Sequence, residues 1–497
     1  GPSAHSKAMV VQARTLELYA QMGIAAEAVE NGRKLSGLQL HAGDAQSNIE
    51  LGEAVQDVSE FAFPLIYEQN KNERLLLAEL TRKACPVLWE HELTDYKNEG
   101  EKGIARLRFS GGEKVISCRY LIGADGARSR VRKISGIAFG GGTYPSQFFL
   151  ADVRFRPAPD ENHMHFFLRG RNFLGIFPMQ DRDMFRLIGI LPKALRNRDD
   201  LVFDDVLPHI RRIIPVDGPQ CAWFSLFRLH YRHVNAFSNG RVFLAGDAAH
   251  IHSPAGGQGM NTGLQDAANL GWKLAGVLKG DYPERMLATY NEERLPLARE
   301  LVRSTDRAFS FLTSPEWLPR TLRKLFLPLI LRYAGRSQPN VRNMFSRISQ
   351  TAIHYRKSSL SMHLSHRTQI RAGDRLPYFR LFDEKKQGEI SLHEWTKEPG
   401  FSLILMDRLN RIDMATLRRW ISTFYPGVNT YYLPWSEKNE PVFAAFEVPE
   451  HDKKMILVRP DQYIALIADG VDLLLLRRYF EQVIGFSQVR EPTEAPR

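Results

Sequence analysis

Residues 241–280 read RVFLAGDAAHIHSPAGGQGMNTGLQDAANLGWKLAGVLKG, and the reading of this stretch decides the fold. An apolar run over 241–245 has the character of a short buried strand. It delivers Gly246 and Asp247 to a sheet edge, where Asp247 is placed to accept hydrogen bonds from ligand hydroxyls. Gly256, Gly257 and Gly259 remove side chains, so backbone can approach a flat ligand closely. The spacing predicts a helix over 261–278 that starts near Met260. Its first N–H groups lack internal partners and carry the positive end of the helix dipole. Such an end suits an anion or a developing anion. Three glycines alone would fit a tight turn with no ligand. GDAAH before the loop and GMNTG after it weaken that plainer account.

Upstream, residues 120–132 read YLIGADGARSRVR. Asp125 follows an apolar run, Gly126 permits a sharp turn, Ser129 suits a helix start and Arg132 lies one turn on. Arg128, Arg130, Arg132 and Lys133 would form a cationic mouth for phosphates, which arginine binds through its planar fork. A capped helix with a solvated basic face is the alternative.

These two stretches closely resemble the second FAD motif and the DGxxSxxR motif of the class A flavoprotein monooxygenases, the group of para-hydroxybenzoate hydroxylase and phenol hydroxylase. The resemblance implies that Asp247 binds the ribityl chain, that Pro254 lies beside the isoalloxazine, and that Gly246 and Gly257 are cofactor-binding residues. It implies backbone contacts from Gly259, Met260 and Asn261 to the pyrimidine ring, where reduced flavin carries negative charge. Asp125 would serve both FAD and the pyridine nucleotide, with Arg128 and Arg132 on the NAD(P)H side. Arg14, in QARTLE at 12–17, resembles the family arginine that contacts the cofactor. Gln69, with Glu73 four residues on, resembles the QxxxE segment near the ribityl chain. His250 and His252 read as structural.

The family opens with a strand, GxGxxG, a helix and a second strand. This sequence contains no such opening, so residue 1 is expected to fall roughly thirty to forty residues inside a family member, about one βαβ unit. The fold implied is α/β: a doubly wound FAD-binding domain, Rossmann-like and of the glutathione-reductase type. A β-rich substrate domain is inserted in it, and a helical segment and a C-terminal thioredoxin-like domain follow. The expected boundaries are 1–60, 70–142 and 236–290 for FAD binding, 143–235 for the insertion, 291–365 for the helical segment and 366–497 for the last domain.

The local patterns expected within that plan are helices over 8–21 and 72–84 and strands over 86–94, 104–109 and 114–122, the first two paired antiparallel. β-rich runs at 148–155, 163–168, 173–178, 184–191 and 220–228 mark the insertion, with a helix over 199–214. Residues 284–357 read as mostly helical. Further on come β-runs at 402–406, 454–458 and 463–467 and helices at 414–424 and 473–484.

Alternation in the insertion nominates Phe149, His165, Phe167, Phe177 and Trp223 as lining an aromatic pocket; ordinary core packing competes for each. No Tyr or His is assigned as the phenol-activating base, so the catalytic residue is unknown. The implied reaction is hydroxylation of a phenolic or other aromatic substrate with NAD(P)H and O2 through a flavin C4a-hydroperoxide. Two other readings remain: a tailoring or drug-inactivating monooxygenase of a polycyclic substrate, and a truncated, non-catalytic flavoprotein-like binding protein.

Composition bounds the rest. The 497 residues are 43% hydrophobic and 25% charged, ordinary for a globular chain. The net charge of +11 is spread along the chain, so anionic cofactors explain it more simply than nucleic acid. Three cysteines, Cys85, Cys118 and Cys221, with no CxxC, argue against a disulfide framework, a metal site or a redox dithiol, and for a cytoplasmic setting. The apolar stretch 325–331 is far short of the ~20 residues that span a bilayer. The cysteine-free C-terminal domain is expected to serve packing or homodimer formation.

Overall fold

The computed structural model describes residues 1, 8–43, 45–169, 172–196, 198, 200–214, 218–253, 256–313, 337–409 and 412–485. The chain is a mixed α/β protein that divides into two units. The first is Gly1–Gln56, Phe61–Gln265 and Leu295–Gln350; the second is Asp57–Glu60, Asp266–Arg294 and Thr351–Arg497.

In chain order the first unit opens with β1 (Val10–Val11), α1 (Ala13–Gln21), β2 (Gly37–Ala42), β3 (Ala45–Glu50), β4 (Leu65–Ile66) and α2 (Gln69–Arg82). Next come β5 (Leu121–Gly123), α3 (Arg130–Ile134), β6 (Phe139–Arg154), β7 (His163–Arg169), β8 (Asn172–Pro178), β9 (Met184–Ile190) and α4 (Phe203–Ile213). β10 (Gln220–Val234), β11 (Val242–Leu244), β12 (His250–Ile251), α5 (Gly259–Lys279) and α6 (Ala288–Thr313) follow; α5 and α6 each cross into the second unit's residues.

An eight-stranded sheet in the order β12-β10-β6-β9-β8-β7-β2-β3 dominates the unit. Its pairings are antiparallel except for β7 on β2. Residues i and i+2 of a strand share a face, so register fixes which side chains meet. One face carries Phe149, Ala151, Val153, Leu174, Ile176, Phe185 and Leu187 and packs on α4. That helix forms because Phe203, Val206, Ile210 and Ile213 recur at helical spacing and are all buried. Asp204 and Asp205 in its first turn and Arg211 and Arg212 in its last suit its dipole. Each large apolar side chain enclosed here contributes about 1.5–3 kcal/mol.

The second unit has a five-stranded sheet in the order Met362–Leu364, Ile464–Asp469, Lys453–Val458, Phe401–Asp407, Val428–Pro434. Beside it lies a fully buried ionic cluster. The Arg459 guanidinium donates to both Glu293 oxygens (2.5 and 3.0 Å) and to Asp461 (2.9 and 2.6 Å). Lys273 donates to Glu293 at 2.7 Å and to Asn269 at 2.9 Å, and Ser358 donates to Glu293 at 2.6 Å. Arg294 pairs with Asp266 at 2.6 Å and donates to the Tyr355 hydroxyl at 2.9 Å. Burial disfavours the Glu293 charge, but Arg459 and Lys273 beside it hold its carboxyl far below the usual carboxylate range.

Several expectations need correction. Residues 8–11 are not helical: Val10 and Val11 pair with Ile66 and Leu65, and α1 starts at Ala13. The run 114–122 splits into a strand Gly112–Cys118, paired with Gly103–Phe109, and a separate β5. The break falls where Leu121 N–H turns to Arg241 O, starting the parallel β5–β11 pair. Residues 86–91 are not strand; the first strand there is Glu92–Asn98. Residues 37–50, assigned to the FAD domain, form β2 and β3 of the large sheet. Residues 266–294, divided between the FAD domain and the helical segment, group with the C-terminal residues. The buried ionic cluster supplies the physical reason. Residues 349–357 are not helical, and the apolar stretch 325–331 lies outside the described residues. Among the described residues no helix is long and apolar enough to cross a membrane.

Arg459→Met takes the counter-charge from Asp461 and one of two from Glu293, which keeps Lys273. It is expected to cost the second unit about 3–5 kcal/mol, read as a lower denaturant midpoint; an unchanged midpoint would contradict the role given to the cluster.

Candidate functional site

β11 is buried at all three positions and pairs parallel with β5, Val242 opposite Leu121 and Leu244 opposite Gly123. At its end Gly246 takes φ +59°, a conformation that favours glycine. A Cβ on Gly263 of α5 would lie only 3.1 Å from Gly246 Cα, so backbone packs on backbone. Asp247 follows and is exposed. Pro254 lies outside the described residues. Gly257, at φ +62°, brings the loop against Val10, where a Cβ would meet the Val10 Cβ at 3.3 Å.

α5 starts at Gly259, two residues before the expected start, and its first helical bond runs from Thr262 N–H to Gln258 O at 2.8 Å. The N–H groups of Gly259, Met260 and Asn261 precede that bond and are free of the helix ladder. The Asn261 side chain is fully buried and is spent on bonds inside the protein. Its Oδ1 accepts from Gln12 N–H (2.9 Å) and Thr15 Oγ1 (2.8 Å). Its Nδ2 donates to Val10 O (2.9 Å) and Gly257 O (2.8 Å). Met260 is half-buried beside Asn72, which donates toward its sulfur at 3.5 Å. Gln350 braces the same helix, donating to Thr262 Oγ1 at 2.6 Å and accepting from Gln265 at 2.5 Å.

Two acceptors at this helix start are enclosed without a partner among the described residues: Gln12 Oε1 and His252 Nε2. Gln12 is 2% exposed, and its Nε2 is committed to Gly256 O at 3.1 Å. Sequence reading passed over Gln12 and took His252 as structural. Gln12 stands two residues before Arg14 in the quoted QARTLE, which was the available signal; nothing local points to Gln350.

The expected cofactor contacts divide. Gly246, Gly257, Gly259, Met260 and Asn261 come together on α5 and its loop, and Asp247 follows Gly246 in the chain. Arg14 is 1% exposed and pairs with Glu17 of its own helix at 2.9 Å. Gln69 clasps the chain before β1: its Oε1 accepts from Ala8 N–H at 3.2 Å, and its Nε2 donates to Glu73 at 3.0 Å. Asp125 caps α3, accepting from Arg130 N–H (2.6 Å), Val131 N–H (3.1 Å) and the Ser129 hydroxyl. Arg132 is turned inward. It donates to Ala248 O and Ala127 O, each at 2.8 Å, and lies 3.9 Å from the Phe139 ring centre, so it joins the two motifs. Of the basic mouth, Arg128, Arg130 and Lys133 are exposed, with Arg130 against Glu92 at 3.2 Å.

The five aromatic-pocket candidates fall on opposite faces of the large sheet. Phe149, His165 and Phe167 share the face under α4; Phe149 is 1% exposed in that core and His165 bonds Asp160 O at 2.8 Å. Phe177 and Trp223 share the other face, opposite Arg186 and Asp152 respectively. There Arg186 and Asp152 form a two-pronged pair, both bonds 2.7 Å, with the guanidinium carbon 5.4 Å from the Trp223 ring centre. Phe177 packs with Met9, Val10, Leu35 and Ile66 beside β1. Among the described residues no group of His, Cys, Asp or Glu is arranged to hold a metal.

A family model described as FAD binding domain matches residues 1–305. The chain is 33% identical over 373 residues to 6-methylpretetramide 4-monooxygenase of Streptomyces rimosus, covering 73% of this chain and 65% of that one. It is 36% identical over 317 residues to pentachlorophenol 4-monooxygenase of Sphingobium chlorophenolicum, covering 61% and 58%. The chain thus spans about three fifths of the length of these curated relatives. Among solved structures, an anhydrotetracycline hydroxylase from Streptomyces rimosus superposes with TM-score 0.75 at 25% identity over 98% of this chain and 92% of that one.

Two outcomes test this geometry. Asn261→Ala leaves buried backbone groups of β1, α1 and the loop unsatisfied and is expected to cost about 3 kcal/mol or more, measured by chemical unfolding. Burial, and then neighbouring His250, pulls the His252 imidazole from 6.5 down to about 4. The unfolded chain therefore takes up the proton more readily between those values. Stability should fall as pH drops from 6.5 to about 4, by on the order of 3 kcal/mol, and His252→Gln should flatten that slope.

Proposed function

The chain belongs to the FAD binding domain family, and from that premise we propose that the whole protein is an FAD-dependent monooxygenase hydroxylating a phenolic or other aromatic substrate with NAD(P)H and molecular oxygen. The observation that carries the proposal is the start of α5. Three helix N–H groups outside the ladder and two enclosed acceptors without a partner among the described residues lie there, and exposed Asp247 follows Gly246, which packs on Gly263 of the same helix. The residues present fit a flavin: backbone donors for a carbonyl-bearing ring edge, a carboxylate for ribityl hydroxyls, and glycines at 256, 257 and 259 that carry no side chain.

Bound FAD supplies the redox and oxygen chemistry. The chain's own residues hold and shield it. Asp247 accepts from the ribityl hydroxyls. The N–H groups of Gly259, Met260 and Asn261, with the dipole behind them, favour negative charge at the pyrimidine end. Arg14 and Gln69 act as positioning residues, bracing α1 and β1. Asp125 and Arg132 shape and join the two turns, and exposed Arg128 is the group for nucleotide phosphates. On the substrate side, the sheet face bearing Phe177 and Trp223 supplies aromatic surface and excludes water.

The architecture that goes with this reading is a Rossmann-like, doubly wound FAD domain of the glutathione-reductase type interrupted by the large sheet. The C-terminal domain is thioredoxin-like, which its five-stranded sheet supports. Without cysteine it packs or dimerises and exchanges no dithiol. A cytoplasmic setting accords with three free cysteines. A second reading, tailoring of a polycyclic substrate, is favoured by the relatives named for 6-methylpretetramide and anhydrotetracycline.

The purified whole protein should show a bound-flavin absorption spectrum, and phenols should stimulate NAD(P)H oxidation with formation of hydroxylated product. Asp247→Ala should lower flavin content several-fold at equal protein yield. Failure of the unmutated protein to take up any FAD would end this reading.

A further inference from the structure

The His252 ring has its tautomer set by one bond. Nδ1 lies 2.7 Å from Ser253 O, and a carbonyl only accepts, so Nδ1 carries the proton and donates. Nε2 is then a bare lone pair. It is closed off from solvent and has no partner among the described residues. An enclosed acceptor left in that state costs stability, so a bound donor is the natural complement.

Its place narrows the donor. A Cβ built on Gly259 would lie 3.8 Å from His252 Nε2, so the lone pair sits beside the first residue of α5. Next to it are the N–H donors of Gly259, Met260 and Asn261, ahead of the first helical bond. A helix start alone would suit phosphate or carboxylate. The His252 lone pair opposes either, since both offer only acceptors. Gln12 Oε1, enclosed at the same loop and without a partner among the described residues, opposes them too. Donors beside an acceptor instead match a ring edge that alternates carbonyl and N–H, as a cyclic imide does.

We infer that His252 is a cofactor-binding residue whose Nε2 accepts a hydrogen bond from the imide N–H of bound isoalloxazine, while the α5 N–H groups donate to the adjacent carbonyl. This rests on the FAD reading above and adds to it a side chain that neither motif assigned.

The test uses the whole protein, stripped of flavin and titrated with FAD and with 3-methyl-FAD, in which a methyl replaces the imide hydrogen. The unmutated protein should bind FAD at least about tenfold more tightly than 3-methyl-FAD. His252→Ala should bind the two within about threefold. His252→Gln, which keeps an acceptor, should recover part of the preference and return the midpoint potential of bound FAD toward that of the unmutated protein. Equal binding of both flavins by the unmutated protein, or a preference undiminished in His252→Ala, overturns the inference while leaving the FAD reading intact. If His252→Ala is poorly folded, His252→Phe, which fills the space and offers no acceptor, is titrated in its place by the same criterion. Uptake of neither flavin by the unmutated protein overturns both.

Discussion

One carboxamide holds the site in shape. Asn261 uses both atoms of its side chain, twice each, on β1, the entry to α1, Thr15 and the glycine loop. Three of these partners lie some 250 residues from Asn261 in sequence, so those bonds close long loops that no local propensity would close. Because the side chain is spent internally, the backbone N–H of the same residue stays at the helix tip. A structural side chain and a peptide N–H outside the helix ladder therefore occupy one position.

The helix tip and its loop were legible because their signal is local. Glycines, a strand end and a helical period all fall within forty residues of chain, and α5 starts two residues from the expected place. β1 was hidden because two valines inside a helically spaced run look helical until Leu65 and Ile66 are brought beside them. β2 and β3 were missed for a similar reason: their place in the large sheet depends on β7, more than a hundred residues later. The aromatic set shows the limit of alternation. Parity within one strand can be read from sequence, but relative parity across strands is set by register, and register separated Phe177 and Trp223 from Phe149, His165 and Phe167.

The positive charge has a second use that composition concealed. Arg14, Arg132, Arg186, Arg294 and Arg459 are all nearly or wholly buried, each committed to carboxylates or backbone carbonyls. The planar fork that suits phosphate also suits two carbonyls on different segments. Arg132 illustrates this: it lies in a motif expected to face the nucleotide, and it ties the Asp125 turn to Ala248. A run of arginines thus mixes internal fasteners with solvent-facing groups, and only the fold separates them.

The ion cluster around Glu293 constrains how such a chain can be recombined. Its members come from 266–294 and from 355–461, so a chimera spliced near residue 370 would import a new Arg459 equivalent while keeping the old Glu293 and Lys273. Unless both parents carry matching charges at these positions, the hybrid inherits an interior ion with no counter-ion. Domain grafting in this architecture should therefore transplant the Asp266–Arg294 segment with the C-terminal sheet as one block.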